Sequence, residues 1–211
     1  VSIGVETPLL ERWDERFALP LILVDRPASG SSRGVFCVRS DEAQGMDLAI
    51  SHLARCGCRR IGSIIHGRRN TGNVELRRNG VMAALNRRGL PAEEALIRVV
   101  LPDDFMEEIG KLLRSGMDGL FCCGGGNAGG IAAYALSLYG KRIPEEIQLV
   151  SSERAQISRY CIPSQTTISQ DYSAVASAVA SALDSGLRGE PVPAETVIPY
   201  RLIQRDSTVL R

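Results

Sequence analysis

Four clusters of polar residues each follow a short apolar run, and together they offer the donors and acceptors of a small-molecule site. Asp25 and Arg26 close the run at 21–24. His66-Gly67-Arg68-Arg69-Asn70-Thr71-Gly72-Asn73 follows the run at 61–65, with Arg77 in the helix-patterned segment beyond it. Gly124-Gly125-Gly126-Asn127 follows 119–123, and Ser151-Ser152-Glu153-Arg154 follows 147–150. A guanidinium is a rigid fork of donors that can hold a carboxylate, a phosphate or a ring acceptor in two bonds. A glycine run at a helix start leaves backbone N–H groups open to an anion or a carbonyl. Carboxylates supply the acceptors that hydroxyls need. The ligand-contact candidates are Asp25, Arg69, Thr71, Arg77, Gly125, Asn127 and Glu153. Plainer readings stand beside them. The glycine run can merely permit close packing, and Arg77 can share a solvated helix face with Arg78, Arg87 and Arg88. His66 opens the basic loop and could touch ligand, whereas His52 lies mid-helix and reads as structural.

The same residues assemble no reaction centre. Neither His52 nor His66 has a serine or cysteine nucleophile at a recognisable spacing, and no Walker-type phosphate loop or dinucleotide fingerprint is present. Of six cysteines, Cys37, Cys122 and Cys123 lie inside apolar runs and read as buried thiols. Cys56 and Cys58 lack a second pair at zinc spacing. Metal, cofactor and disulfide are therefore not expected, and a reducing cytoplasm is. The net charge of +1 argues against this segment being a DNA-gripping surface, which needs a basic excess to neutralise phosphates. No apolar run approaches the roughly 20 residues that span a bilayer.

The elements that must position these groups alternate. Strands are expected at 2–5, 21–24, 35–38, 61–65, 96–101, 119–123 and 147–150. Helices are expected around Leu9, Leu10, Trp13 and Phe17, and at 41–55, 73–88, 103–114 and 127–139. Short apolar runs alternating with period-3.6 segments predict an α/β fold with parallel sheets flanked by helices. In such sheets ligands bind beyond the carboxyl ends of the strands. Gly89, Gly116 and Gly140 each follow a helix and read as stops. The tail differs: Thr166-Thr167-Ile168-Ser169-Gln170 leads into a small-residue helix at 172–187, then one strand at about 196–203.

Seven motifs, in order, carry a resemblance. They are Pro20-Leu21-Ile22-Leu23-Val24-Asp25-Arg26, Val38-Arg39-Ser40-Asp41, Gly57-Cys58-Arg59-Arg60-Ile61-Gly62, Arg77-Arg78-Asn79-Gly80, Ile143-Pro144-Glu145-Glu146-Ile147, Gln165-Thr166-Thr167-Ile168-Ser169-Gln170 and Leu202-Ile203-Gln204-Arg205-Asp206-Ser207-Thr208. The chain resembles the effector-binding domain of LacI/GalR-family bacterial transcriptional regulators, whose fold is that of type I periplasmic binding proteins. Two departures stand out. Gly125 replaces a common aspartate, and Ser151-Ser152-Glu153 replaces a "G-F/Y-D" turn, which argues against a plain neutral sugar. Arg69-Asn70-Thr71-Gly72 is similar to the loop of the purine-sensing branch.

The resemblance implies two Rossmann-like lobes, the first incomplete, joined by crossovers near 38–40, 169–171 and 190–194. The N-terminal lobe would comprise 1–39 and 170–190, and the C-terminal lobe 40–169 and 191–211. It further implies a homodimeric sensor, with a small molecule binding between the lobes and controlling operator DNA through an upstream helix-turn-helix absent from this sequence. Counting Arg68, Arg69, Arg77 and Arg154 against Asp25 and Glu153, the effector is expected to be anionic or carbonyl-rich, a sugar derivative or purine-like molecule. A periplasmic-type solute-binding protein is the alternative, and an enzyme is disfavoured for want of a nucleophile and base. No membrane association is expected.

Overall fold

Strand Ile61–His66 shows how the sequence builds its larger sheet. Ile61 and Ile65 pack into one buried cluster and Ile64 into another, so both faces of the strand are covered. Phe121 and Cys123 repeat the pattern against Leu120 and Cys122, as do Val150 and Leu149. Alternate side chains of a strand point to opposite faces, so an all-apolar run requires helices on both sides. The computed structural model describes residues 2–3, 19–25, 34–67, 72–124, 127–153 and 157–210. The expected helix around Leu9, Leu10, Trp13 and Phe17 lies outside them.

In chain order the elements are β1 (Ser2–Ile3), β2 (Leu21–Val24), β3 (Val35–Ser40), α1 (Glu42–Arg55), β4 (Ile61–His66), α2 (Gly72–Arg87), β5 (Ile97–Val100), α3 (Phe105–Arg114), β6 (Gly119–Gly124), α4 (Ala128–Leu138), β7 (Gln148–Ser152), β8 (Thr166–Ser169), α5 (Tyr172–Leu187), β9 (Glu195–Ile198) and β10 (Arg201–Ile203). The chain divides into two compact units: Val1–Asp41 with Gln170–Pro199, and Glu42–Ser169 with Tyr200–Arg211.

The second unit holds a six-stranded sheet in the order β10-β8-β7-β6-β4-β5, parallel except for β10 against β8. Helix α1 covers one face with Met46, Ala49, Ile50 and Leu53, the spacing of one helical stripe. A Cβ on Gly80 of α2 would meet Met46 Cγ at 2.9 Å, so that glycine lets α2 close onto α1. Helices α3 and α4 cover the other face through Phe105, Ile109, Leu112, Ala132, Ala135 and Leu136. After β4 the chain adds β5 at one edge and then returns to place β6 on the opposite flank of β4. Sheet growth reverses between β4 and β6, which is where such sheets open a crevice for ligands. The three glycine stops hold: Gly89, Gly116 and Gly140 all adopt positive φ, at 62°, 76° and 69°.

Among the described residues the first unit holds a four-stranded parallel sheet, β1-β2-β3-β9. Helix α5 packs Val175, Ala178, Val179, Ala182 and Leu183 against Ile22, Val24 and Val38. Asp171 caps it, accepting from Ala174 N at 2.9 Å. The tail departs from the sequence reading. The single strand expected at about 196–203 is two strands, because the chain leaves one sheet for the other at Pro199–Tyr200. Residues 195–198 pair with β3, whereas 201–203 pair with β8. Hence 195–198 belong with the first unit and not with the 191–211 segment of the second lobe, and the last crossover lies beyond 190–194.

Candidate functional site

Three of the sequence candidates sit at carboxyl ends of strands in the second unit. Arg77 lies in α2 beyond β4, Asn127 at the start of α4 beyond β6, and Glu153 just past β7. Asp25 ends β2 in the first unit. Arg69, Thr71 and Gly125, with Arg68 and Arg154, lie outside the described residues.

Arg77 is not a bare cation. Its Nη2 and Nε donate to Glu42 Oε1 and Oε2 at 2.9 and 3.1 Å, a two-bond fork. The Tyr200 hydroxyl donates to the same Oε1 at 3.2 Å. Glu42 opens α1, where an acid also suits the helix dipole. Gln44 grips the Tyr200 backbone in both directions, accepting from its N at 2.8 Å and donating to its O at 3.2 Å. The ring lies over Gly45, where a Cβ would come within 2.7 Å of it. The Arg77 and Glu42 side chains are 20% and 14% exposed. Burial opposes the arginine's charge, but the hydrogen-bonded Glu42 outweighs it, and Arg77 holds its proton more tightly than a free arginine. Burial likewise pushes the Cys123 thiol up to about 12, with the Arg77 guanidinium pulling the other way.

Glu153 is also paired. Arg205 Nη2 donates to its Oε2 at 2.7 Å and Thr167 Oγ1 donates to the same oxygen at 3.0 Å. Arg205 Nη1 ties the pair to the Gln165 carbonyl at 2.6 Å. Burial works against the carboxylate, yet Arg205, Ser158 and Thr167 together hold Glu153 below its ordinary range. Asn127 caps α4, its side chain accepting from Gly130 N at 3.2 Å. His66 ends β4 with its ring edge-to-face on Phe105, centroids 6.1 Å apart, and is the register partner of Gly124. His52 is buried and shares a 2.8 Å hydrogen bond with Thr208 Oγ1, the structural role its mid-helix position suggested.

Asp25 takes a left-handed backbone, φ 54°, which aspartate tolerates better than most residues. Its Oδ1 accepts from Ser40 N and Oγ at 3.1 and 3.3 Å, and its Oδ2 from Gln170 Nε2 at 3.1 Å. The carboxylate thereby ties the ends of β2 and β3 to the segment that follows β8.

Sequence reasoning missed the partners: Glu42 and Tyr200 for Arg77, Arg205 for Glu153, and Ser40 with Gln170 for Asp25. Ser40, Gln170 and Arg205 stand inside the quoted motifs, yet nothing in a motif says which side chain faces which. Among the described residues no three His, Cys, Asp or Glu side chains cluster as a metal site. No helix there is long and apolar enough to cross a membrane.

Residues 50–208 match the model of the periplasmic binding protein-like domain. The ribose operon repressor of Halalkalibacterium halodurans is 26% identical over 202 residues, spanning 92% of this chain and 58% of that protein. The transcriptional repressor PurR of Haemophilus influenzae is 29% identical over 156 residues, 72% of this chain and 45% of that one. The chain thus spans about half the length of the curated relatives it matches. A solved complex of the transcriptional regulator CelR with cellobiose has the same fold, with a TM-score of 0.83 at 23% identity over 97% of this chain and 64% of that one.

Proposed function

This chain belongs to the periplasmic binding protein-like domain family, in the form carried by LacI-type transcriptional regulators, and from that premise we propose that it is the effector-binding part of such a regulator. The observation that carries the reading is the match of residues 50–208 to the periplasmic binding protein-like domain, within which Arg77, Asn127 and Glu153 each follow the carboxyl end of a parallel strand. The ligand is a small polar molecule, sugar-like or purine-like. Its binding biases the DNA affinity of a helix-turn-helix carried elsewhere in the full protein, and the working assembly is a cytoplasmic homodimer. A solute-carrying role would use the same fold, but the relatives are regulators, and that favours this reading over transport or catalysis.

The test is a thermal-shift screen with pentoses, disaccharides and purine bases, followed by calorimetry on any hit. A ligand that binds only the folded state stabilises it by about 2.7 kcal/mol at a hundredfold excess over Kd. One class should raise the melting temperature and survive incubation unchanged. A melt indifferent to all three classes, or turnover of the ligand, breaks the reading.

A further inference from the structure

The charge of Arg77 is already answered from within the fold. The Nε/Nη2 edge of Arg77, one of the two donor edges that could grip an incoming anion, is spent on Glu42, whose Oε1 is in turn held by the Tyr200 hydroxyl. Tyr200 is itself fixed by Gln44 and by its seat over Gly45, so the carboxylate is presented by a built support rather than by a chance surface contact. The pair retains 20% and 14% exposure, so a ligand can still reach it. We propose that Glu42 is a built-in counter-ion that sets the charge selectivity of this site, masking Arg77 so that the ligand meets a neutral donor–acceptor pair instead of a free cation.

The consequence refines the effector class, and it rests on the strand-end site being the effector site. An anion approaching Arg77 must either displace a carboxylate held by three hydrogen bonds or take the other edge of the guanidinium against that carboxylate's repulsion. A neutral ligand with a donor beside an acceptor, such as adjacent hydroxyls or an amide edge, can bond to both members without breaking the pair. Of the two effector classes expected from the arginine count, the anionic one is disfavoured here and the carbonyl-rich one is kept, while a neutral polyhydroxyl ligand, which the sequence reading argued against, is readmitted. Deleting only the acid leaves a partly buried guanidinium without its partner, a state that recruits another anion.

Inorganic phosphate serves as the probe, because it requires no knowledge of the effector. Melting temperatures of the wild-type chain, Glu42→Gln, and Glu42→Gln with Arg77→Met are compared in phosphate and in chloride at matched ionic strength and pH 7. Glu42→Gln should gain a phosphate-specific rise of about 3 °C, as expected for a newly occupied site in a domain of this size. Wild type and the double variant should not. A wild-type rise as large as that of Glu42→Gln, or no rise in Glu42→Gln, overturns the proposal. Should Glu42→Gln pack poorly, Glu42→Ala repeats the measurement. Failure of both variants to fold would make the pair purely structural and equally overturn it. The phosphate result is independent of the effector screen, so either can fail while the other stands.

Discussion

Two partly buried ion pairs belong to the unit of the larger sheet, and they are built in opposite senses. At the α1–α2 flank an arginine is answered by a glutamate from the neighbouring helix, with one tyrosine hydroxyl as third party. At the β7–β8 flank a glutamate is answered by an arginine from the returning tail, with Thr167 and the Gln165 carbonyl as further partners. Glu153 is 8% exposed against 14% for Glu42. Each pair ties three chain segments together, but the first is the more exposed of the two and leaves its edge within reach of a ligand. A pair of the first kind can offer both its members to a ligand without breaking; a pair of the second kind holds β7 and β8 to the returning tail.

The largest expected effect tests the structural pair. Arg205→Ala leaves a nearly inaccessible carboxylate uncompensated, which costs about 3–5 kcal/mol when one member of a buried pair is removed. Urea unfolding should show a lower midpoint with an unchanged slope. A loss below about 1 kcal/mol would erase the distinction between the pairs.

Arg77→Ala comes next. Glu42 keeps the Tyr200 hydroxyl and more solvent than Glu153 has, so the stability loss should be about 1–3 kcal/mol, clearly less than for Arg205→Ala. Effector response should vanish in a variant that still melts cooperatively. Destabilisation equal to that of Arg205→Ala, or unchanged effector affinity by calorimetry, would break the comparison from the other side.

The same comparison shows what a sequence discloses. The sheet was legible because β4, β6 and β7 each carry consecutive apolar residues, Ile64-Ile65, Leu120 to Cys123 and Leu149-Val150, that only two covered faces explain. The tail was not, because 195–203 reads as one extended segment, and only pairing partners reveal that Pro199–Tyr200 divides it between two sheets. Arg77 stood out by following a donor-rich loop, but its partner lies 35 residues earlier and its third party is 158 residues from that partner. Glu42 by itself resembles any acid that favours a helix start, and Tyr200 resembles any aromatic near a strand. Pattern within an element foretells the element; pairing between elements depends on packing that no local pattern encodes. Of the four arginines counted, Arg77 is the one among the described residues, and its partner Glu42 was not visible in any local pattern.

The smallest effect concerns acid. Glu153 is held below its ordinary carboxyl value of 4.5, burial being outweighed by Arg205, Ser158 and Thr167. A group depressed on folding contributes stability that is present above its unfolded value and lost as pH falls through its folded one. In wild type, acidification below about 4.5 therefore removes stability through Glu153. In Arg205→Ala the burial remains while the main opposing partner is gone, so this carboxyl moves upward and its contribution changes sign: protonation then relieves a buried charge. Asp47, held at about 2 by Arg88 and Arg87, loses its contribution on further acidification in both proteins and cancels in the difference. The gap in unfolding free energy between wild type and Arg205→Ala should accordingly narrow as pH falls through this window, measured by urea melts at matched ionic strength. A gap that stays constant, or widens, would mean that Arg205 acts through packing alone and that the two pairs differ in burial rather than in kind.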